Sequence, residues 1–163
     1  MSLAQSFLGE LQHEGAQTRT ILARVPERHA DWKPHAKSFA LGKLAVHVAD
    51  MYSWVVGTMD HTEIDFATGY PMSSFTTTAD LLALFDQNFA AASAAFEGKS
   101  DAHFMAPWSL RNGEHIFYTL PRGQCLRSTV FNHIIHHRAQ LTVYLRLLDV
   151  PIPGLYGPSA DET

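Results

Sequence analysis

A chain of 163 residues, 46% hydrophobic and 17% charged, is long enough to bury a core of its own and has no disordered signature. Its formal net charge of −4 argues against a general nucleic-acid binder, and no apolar run approaches the roughly 18–20 residues of a membrane span. The lone cysteine, Cys125, rules out an intrachain disulfide and suits a reducing compartment. The N-terminus has no signal-peptide pattern, so the expected location is cytoplasmic.

The first helix is expected from Leu3 to Val25, with apolar residues at helical spacing and Pro26 as its stop. A proline-broken loop follows, carrying His29 and His35, which read as solvated. A second helix is expected from Ser38–Leu41 to about Met59. Its stripe is Leu44, His47, Met51, Trp54 and Thr58, in steps of three and four. His47 therefore lies on a core-facing line. Asp50, one turn on, is a candidate to orient an imidazole or act as a base, or is simply a solvated carboxylate.

The polar stretch from Asp60 to Thr77 reads as turns, broken most sharply at Gly69-Tyr70-Pro71, with His61 capping the preceding helix or facing solvent. Thr77-x-x-Asp80 resembles a capping box and opens a third helix to about Glu97. The alanines of residues 90–95 would allow close packing of this helix. Between His103 and Leu120 the pattern is not helical. Two apolar runs flank Arg111-Asn112-Gly113, and Asn-Gly is a strong hairpin signal.

The last long helix is expected to begin at Pro121 and, free of Gly and Pro, to run from Gln124 to Val150. Its inward stripe is Leu126, Val130, His133, His137, Gln140 or Leu141, Tyr144 and Leu148. His133 and His137 stand four apart, so their imidazoles project from one face, a spacing that can grip one metal ion. The intervening Ile134-Ile135-His136 supplies no general-base Glu, unlike the zinc-protease motif. Two core histidines hydrogen-bonded to neighbouring helices explain the pair equally well. Joined by His47, the pair becomes a three-nitrogen set with positions left for water or substrate. Arg122, Arg127, Arg138 and Arg146 give this helix a basic bias, read either as a solvated face or as an attraction for acidic ligands.

Over essentially its whole length the chain resembles the DinB/YfiT-like family of metal-dependent proteins. The resemblance is carried by Leu44-Ala45-Val46-His47, by Asn132-His133-x-x-x-His137-Arg138-x-Gln140-Leu141 and by the ending Tyr156 to Glu162. Ala139 departs from the family's more usual glycine without touching a ligand. The resemblance implies a single all-α domain over residues 1–163, a four-helix bundle of up-down-down-up topology with the hairpin inserted before the last helix. It also implies one divalent metal per chain held by His47, His133 and His137, with zinc the first expectation and nickel or iron as alternatives. Pairing as a homodimer is expected as well.

Function is constrained less. Some relatives transfer low-molecular-weight thiols, and a bound metal would generate the thiolate at neutral pH. A small-molecule substrate with such a thiol as cosubstrate is therefore expected, with Arg138 a candidate for the thiol's carboxylate and Tyr144 for a developing anion. The alternatives are a metal-dependent hydrolase using Asp50 or His136 as base, and a non-catalytic, stress-related metal-binding protein. A structural site would show a fourth protein ligand and no cavity.

Overall fold

The computed structural model describes residues 1–69 and 73–162. It is predominantly helical, with one small three-stranded sheet. Tyr70 and Pro71 of the expected Gly69-Tyr70-Pro71 break lie outside the described residues.

Helix α1 (Leu3–Leu22) opens on a capping box between Ser2 and Gln5, which satisfies two otherwise orphaned N–H groups. The stretch expected as one second helix is two, α2 (Leu41–Asp50) and α3 (Ser53–Asp60). The physical cause of the break is local. The Ser53 hydroxyl donates to the Asp50 carbonyl at 2.7 Å, and Trp54 and Val55 reach back only three residues, to Met51 and Tyr52. Such side-chain competition interrupts a helical ladder. Ala40 has no capping side chain, and loop carbonyls substitute: Leu41 N–H donates to Trp32 and Gly42 N–H to Ala30, both at 2.8 Å.

The C-terminus of α3 is closed by side chains from distant segments. Trp108 Nε1 donates to the Gly57 carbonyl at 3.1 Å, and the His103 ring bonds the Met59 carbonyl at 2.8 Å. The Arg122 guanidinium donates to the carbonyls of Thr58 and His61. Together with Lys99 on Asp60, these groups satisfy the orphan carbonyls and place positive charge where the helix dipole favours it.

Helix α4 (Thr78–Ala94) starts with the expected Thr77–Asp80 capping box, reinforced by Glu27 accepting from Thr78 N–H at 2.7 Å. Its second half leaves Ala90, Ala91 and Ala94 on the surface. Helix α1 packs on α4, and Gly15 permits the approach: a Cβ there would come within 2.2 Å of the Phe89 ring. A short helix, α5 (Asp101–Met105), precedes the hairpin and was not expected.

Strands β2 (Pro107–Asn112) and β3 (His115–Pro121) form the expected antiparallel hairpin, with Gly113 at φ 60° in its turn. A third strand, β1 (Glu63–Asp65), pairs parallel to β2. Sequence reading missed it, because three residues are too few for an alternation to show. Asp65 ties it down, accepting from Gly113 N–H at 2.8 Å and pairing with Arg111. The strand delivers Phe66 to the neighbourhood of Trp54, ring centroids 5.8 Å apart.

The last helical stretch is continuous but not uniform. After α6 (Arg122–Cys125) comes a π-helical turn over Leu126–Phe131, in which Asn132 N–H reaches back to Arg127, and then α7 (Asn132–Leu147). The wider turn changes the phase of everything after it. The fully buried line of α7 is consequently Ile134, Arg138, Leu141 and Leu145, while His133, His137 and Tyr144 sit on the flank and are only half-buried. The expected inward stripe thus holds at Leu126, Val130 and Leu141 but runs beside the fully buried line at His133, His137 and Tyr144. Asp149 at φ 55° and the bond from Val150 N–H to Leu145 O close α7 in a Schellman arrangement.

A candidate three-histidine metal centre

Helices α2 and α7 pack against each other, and their half-buried flanks bring His47 to the His133–His137 pair. Nε2 of His133 lies 3.4 Å from Nε2 of His47 and 2.7 Å from Nε2 of His137. The three ligand atoms all fall within 4.8 Å of one another. Metal–nitrogen bonds of about 2.0–2.1 Å would set such atoms roughly 3.0–3.4 Å apart; the His47–His133 separation falls at the upper end of that range and the His133–His137 separation is somewhat shorter.

The outer nitrogens fix which atoms face inward. His137 Nδ1 bonds Gln140 Oε1 at 2.7 Å, and the His133 ring bonds the backbone of Thr129. Oxygen acceptors at both outer positions require N–H there, so the Nε2 lone pairs of His133 and His137 converge on each other. Two facing lone pairs repel unless a cation is shared between them. The donor set and its orientation therefore fit a divalent metal, with His47, His133 and His137 as the residues that would hold it.

Electrostatics agree with neutral ligands. Burial, then the neighbouring His137 and His133, then Lys43, press the His47 pKa down to about 4. Burial lowers His133 and His137 also, opposed by the Thr129 and Gln140 hydrogen bonds respectively. Metal ligation needs the unprotonated imidazole.

A cavity of about 410 Å³ opens beside His47 and His133, walled by Phe39, Val46, Trp54 and Phe66, with Lys43 and Asp50 at its margins. A smaller one of about 210 Å³ lies on the His137 side and is more polar, lined by Ser38, Gln140 and Tyr144 among others. Among the described residues no fourth His, Cys, Asp or Glu joins the cluster.

Asp50 is buried at 8% exposure, and its carboxylate accepts from Ser73 Oγ at 2.8 Å and Ser73 N–H at 3.3 Å, with Asn88 Nδ2 at 3.5 Å. It is not the solvated carboxylate of the alternative reading. Tyr144 lines the smaller cavity and meets Trp32 edge-on at 5.7 Å. His136 is exposed, its ring 4.9 Å from that of His137, and lines neither cavity.

Arg138 is placed differently from what a thiol-binding role requires. At 1% exposure it is sealed in the core, where it donates to the Glu14 carboxylate at 2.5 Å, the Glu14 carbonyl at 2.9 Å, Thr18 Oγ1 at 3.1 Å and the Tyr156 hydroxyl. The other arginines of this stretch are also engaged within the chain: Arg122 as above, Arg127 with Glu10, and Arg146 with Asp161. Cys125 is a small, fully buried core residue, its thiol pushed up to about 11 by burial.

Several cavity residues escaped the sequence reading. Lys43 stands four before His47, so the helical spacing that put Trp54 on the His47 stripe could have found it too. Phe66 arrives through β1, and Ser73 and Asn88 through tertiary packing, for which the sequence carries no local signal.

This is a helical protein built around a three-histidine centre with an adjoining cavity. The chain belongs to the DinB family, whose model matches residues 1–163. It is 25% identical over 156 residues to the uncharacterized protein YrdA of Bacillus subtilis strain 168, covering 96% of this chain and 89% of that relative. In fold it is similar to a DinB-like protein from Bacillus cereus ATCC 10987, at a TM-score of 0.73, 20% identity and coverage of 93% and 97% of the two chains. The DinB-like protein YjoA of B. subtilis gives a TM-score of 0.73 at 15% identity, with 92% and 97% covered.

Proposed function

We propose that the protein is a metal-dependent enzyme that transfers a small thiol to an electrophilic substrate, on a four-helix frame of α1, α2–α3, α4 and α7. The observation that carries this reading is the juxtaposition of three inward-facing imidazole nitrogens with two cavities of different character. A purely structural metal has no use for such space. The metal, when bound, would lower the pKa of a coordinated thiol and so supply nucleophile at neutral pH.

The chain's own residues do the rest. Ser38, Gln140 and Tyr144 offer hydroxyl and amide groups to a polar thiol on the His137 side. The apolar walls on the other side exclude water and receive the electrophile. A hydrolytic reading draws on Asp50, the carboxylate at the margin of the larger cavity. Its oxygens are already committed to Ser73 and Asn88, which favours transfer.

The test is incubation of zinc-loaded protein with a panel of low-molecular-weight thiols and a generic electrophile, beside a His137→Ala variant. Thiol consumption by wild type alone supports transfer. Metal-dependent ester or amide hydrolysis without thiol transfer would replace it with the hydrolase.

A further inference from the structure

The larger cavity has a directional build. Along α2, Lys43, Val46, His47 and Asp50 face it in succession, so a cation and a carboxylate bracket the metal ligand. The Asp50 end is satisfied by Ser73 and Asn88. The Lys43 end is not: no carboxylate lies within salt-bridge distance of its ammonium among the described residues, and the Nζ rests over the Phe39 ring, 4.8 Å from the centroid. Phe39 is 42% exposed, which places this pair at the mouth.

Between the mouth and the histidines the walls are Phe39, Val46, Trp54 and Phe66. They offer little to the hydroxyls and amides of a polar thiol, whose burial there without partners would be costly. They suit an aliphatic or aromatic body.

We propose that this cavity takes an apolar-bodied organic anion, its acidic group paired with Lys43 and its reacting end turned toward the three histidines. The proposal names the acceptor substrate of the transfer reaction and rests on that reading of the site. Asp31 belongs to a neighbouring cavity beyond Lys43 and Val46. It sets a sign limit there, so a second acidic group further out would be disfavoured. Lys43 is a specificity residue in this scheme, while the metal ligands are untouched.

The experiment measures binding by titration calorimetry, with 4-phenylbutanoate as the probe and its uncharged amide as the control. Both are tested on zinc-loaded and on chelator-treated wild type and on a Lys43→Met variant, and zinc affinity is measured for each protein. In zinc-loaded wild type the carboxylate should bind roughly fivefold tighter than the amide, the scale of one partly exposed ion pair. Lys43→Met should erase that preference, leaving amide binding unchanged and zinc affinity undiminished, since Lys43 only repels charge at His47.

A preference that is absent in wild type overturns the proposal. So does one that survives Lys43→Met, which would mean the carboxylate is ligating zinc instead. If wild type binds no zinc, the metal centre falls. The carboxylate preference in the metal-free proteins then decides the Lys43 site by the same comparison.

Discussion

Gln140 Oε1 accepts the Nδ1 hydrogen of His137 at 2.7 Å, one helical turn along α7, and so turns the His137 Nε2 lone pair toward His133. Groups that orient a ligand in this way commonly govern affinity by about 10- to 100-fold. A Gln140→Leu variant should therefore lose zinc affinity by roughly that factor while its melting temperature in chelator stays near wild type, because residue 140 is exposed. Competitive titration against a chromophoric chelator measures it. Unchanged affinity would show that the Nδ1 contact does not set the ligand.

The metal-free protein should lose stability in acid over a defined window. His47 is held down to about 4 in the folded chain, and His133 and His137 are lowered too, chiefly by burial. In the unfolded chain these groups take up protons near 6.5. Between about pH 4 and 6.5 the unfolded state binds more protons, so stability rises with pH and levels off above. Thermal melts in chelator should give a lower midpoint at pH 5 than at pH 7, with a shallower dependence in His47→Gln. Equal midpoints at the two pH values would contradict the buried, neutral histidines.

The packing of α1 on α4 depends on the missing side chain at residue 15. Phe89 lies against Gly15 and is itself backed by Phe85 and Tyr52, at 5.6 and 5.9 Å between ring centroids. Gly15→Val should cost about 2 kcal/mol, the scale of forced overpacking. Adding Phe89→Ala should recover part of that loss relative to Phe89→Ala alone. Urea denaturation of the four proteins gives the coupling, and strict additivity would refute the contact.

Arg138 and Glu14 form a buried ion pair, at 1% and 8% side-chain exposure, that also holds Tyr156 of the C-terminal tail. Removing the negative partner strands a buried charge, so Glu14→Gln should destabilise by about 3 kcal/mol. The double variant Glu14→Gln with Arg138→Met should be less destabilised than Glu14→Gln alone. Denaturation midpoints decide, and a double variant worse than the single would reverse the claim.

Much of this was legible in the residues. His47, His133 and His137 could be assembled from helical spacing and the resemblance, because three- and four-residue steps map directly onto a helix face. The Asn112-Gly113 turn and the Thr77–Asp80 cap were readable from local chemistry. What escaped depends on longer-range or subtler causes. The helix break after Asp50 comes from one hydroxyl, Ser53, competing for a carbonyl. The π-turn before Asn132 leaves no composition mark, yet it moves Arg138 into the core and the histidines to the flank. Strand β1 exists only through its pairing with β2, and with it comes Phe66.

Zinc titration of protein purified without a nickel column, with His47→Ala, His133→Ala and His137→Ala alongside, tests the centre most directly. Wild type should bind one zinc per 18.1 kDa chain, displaced by protons as the imidazoles titrate, and each variant should bind far more weakly. A His47→Ala protein that keeps full stoichiometry and affinity would contradict the three-histidine site.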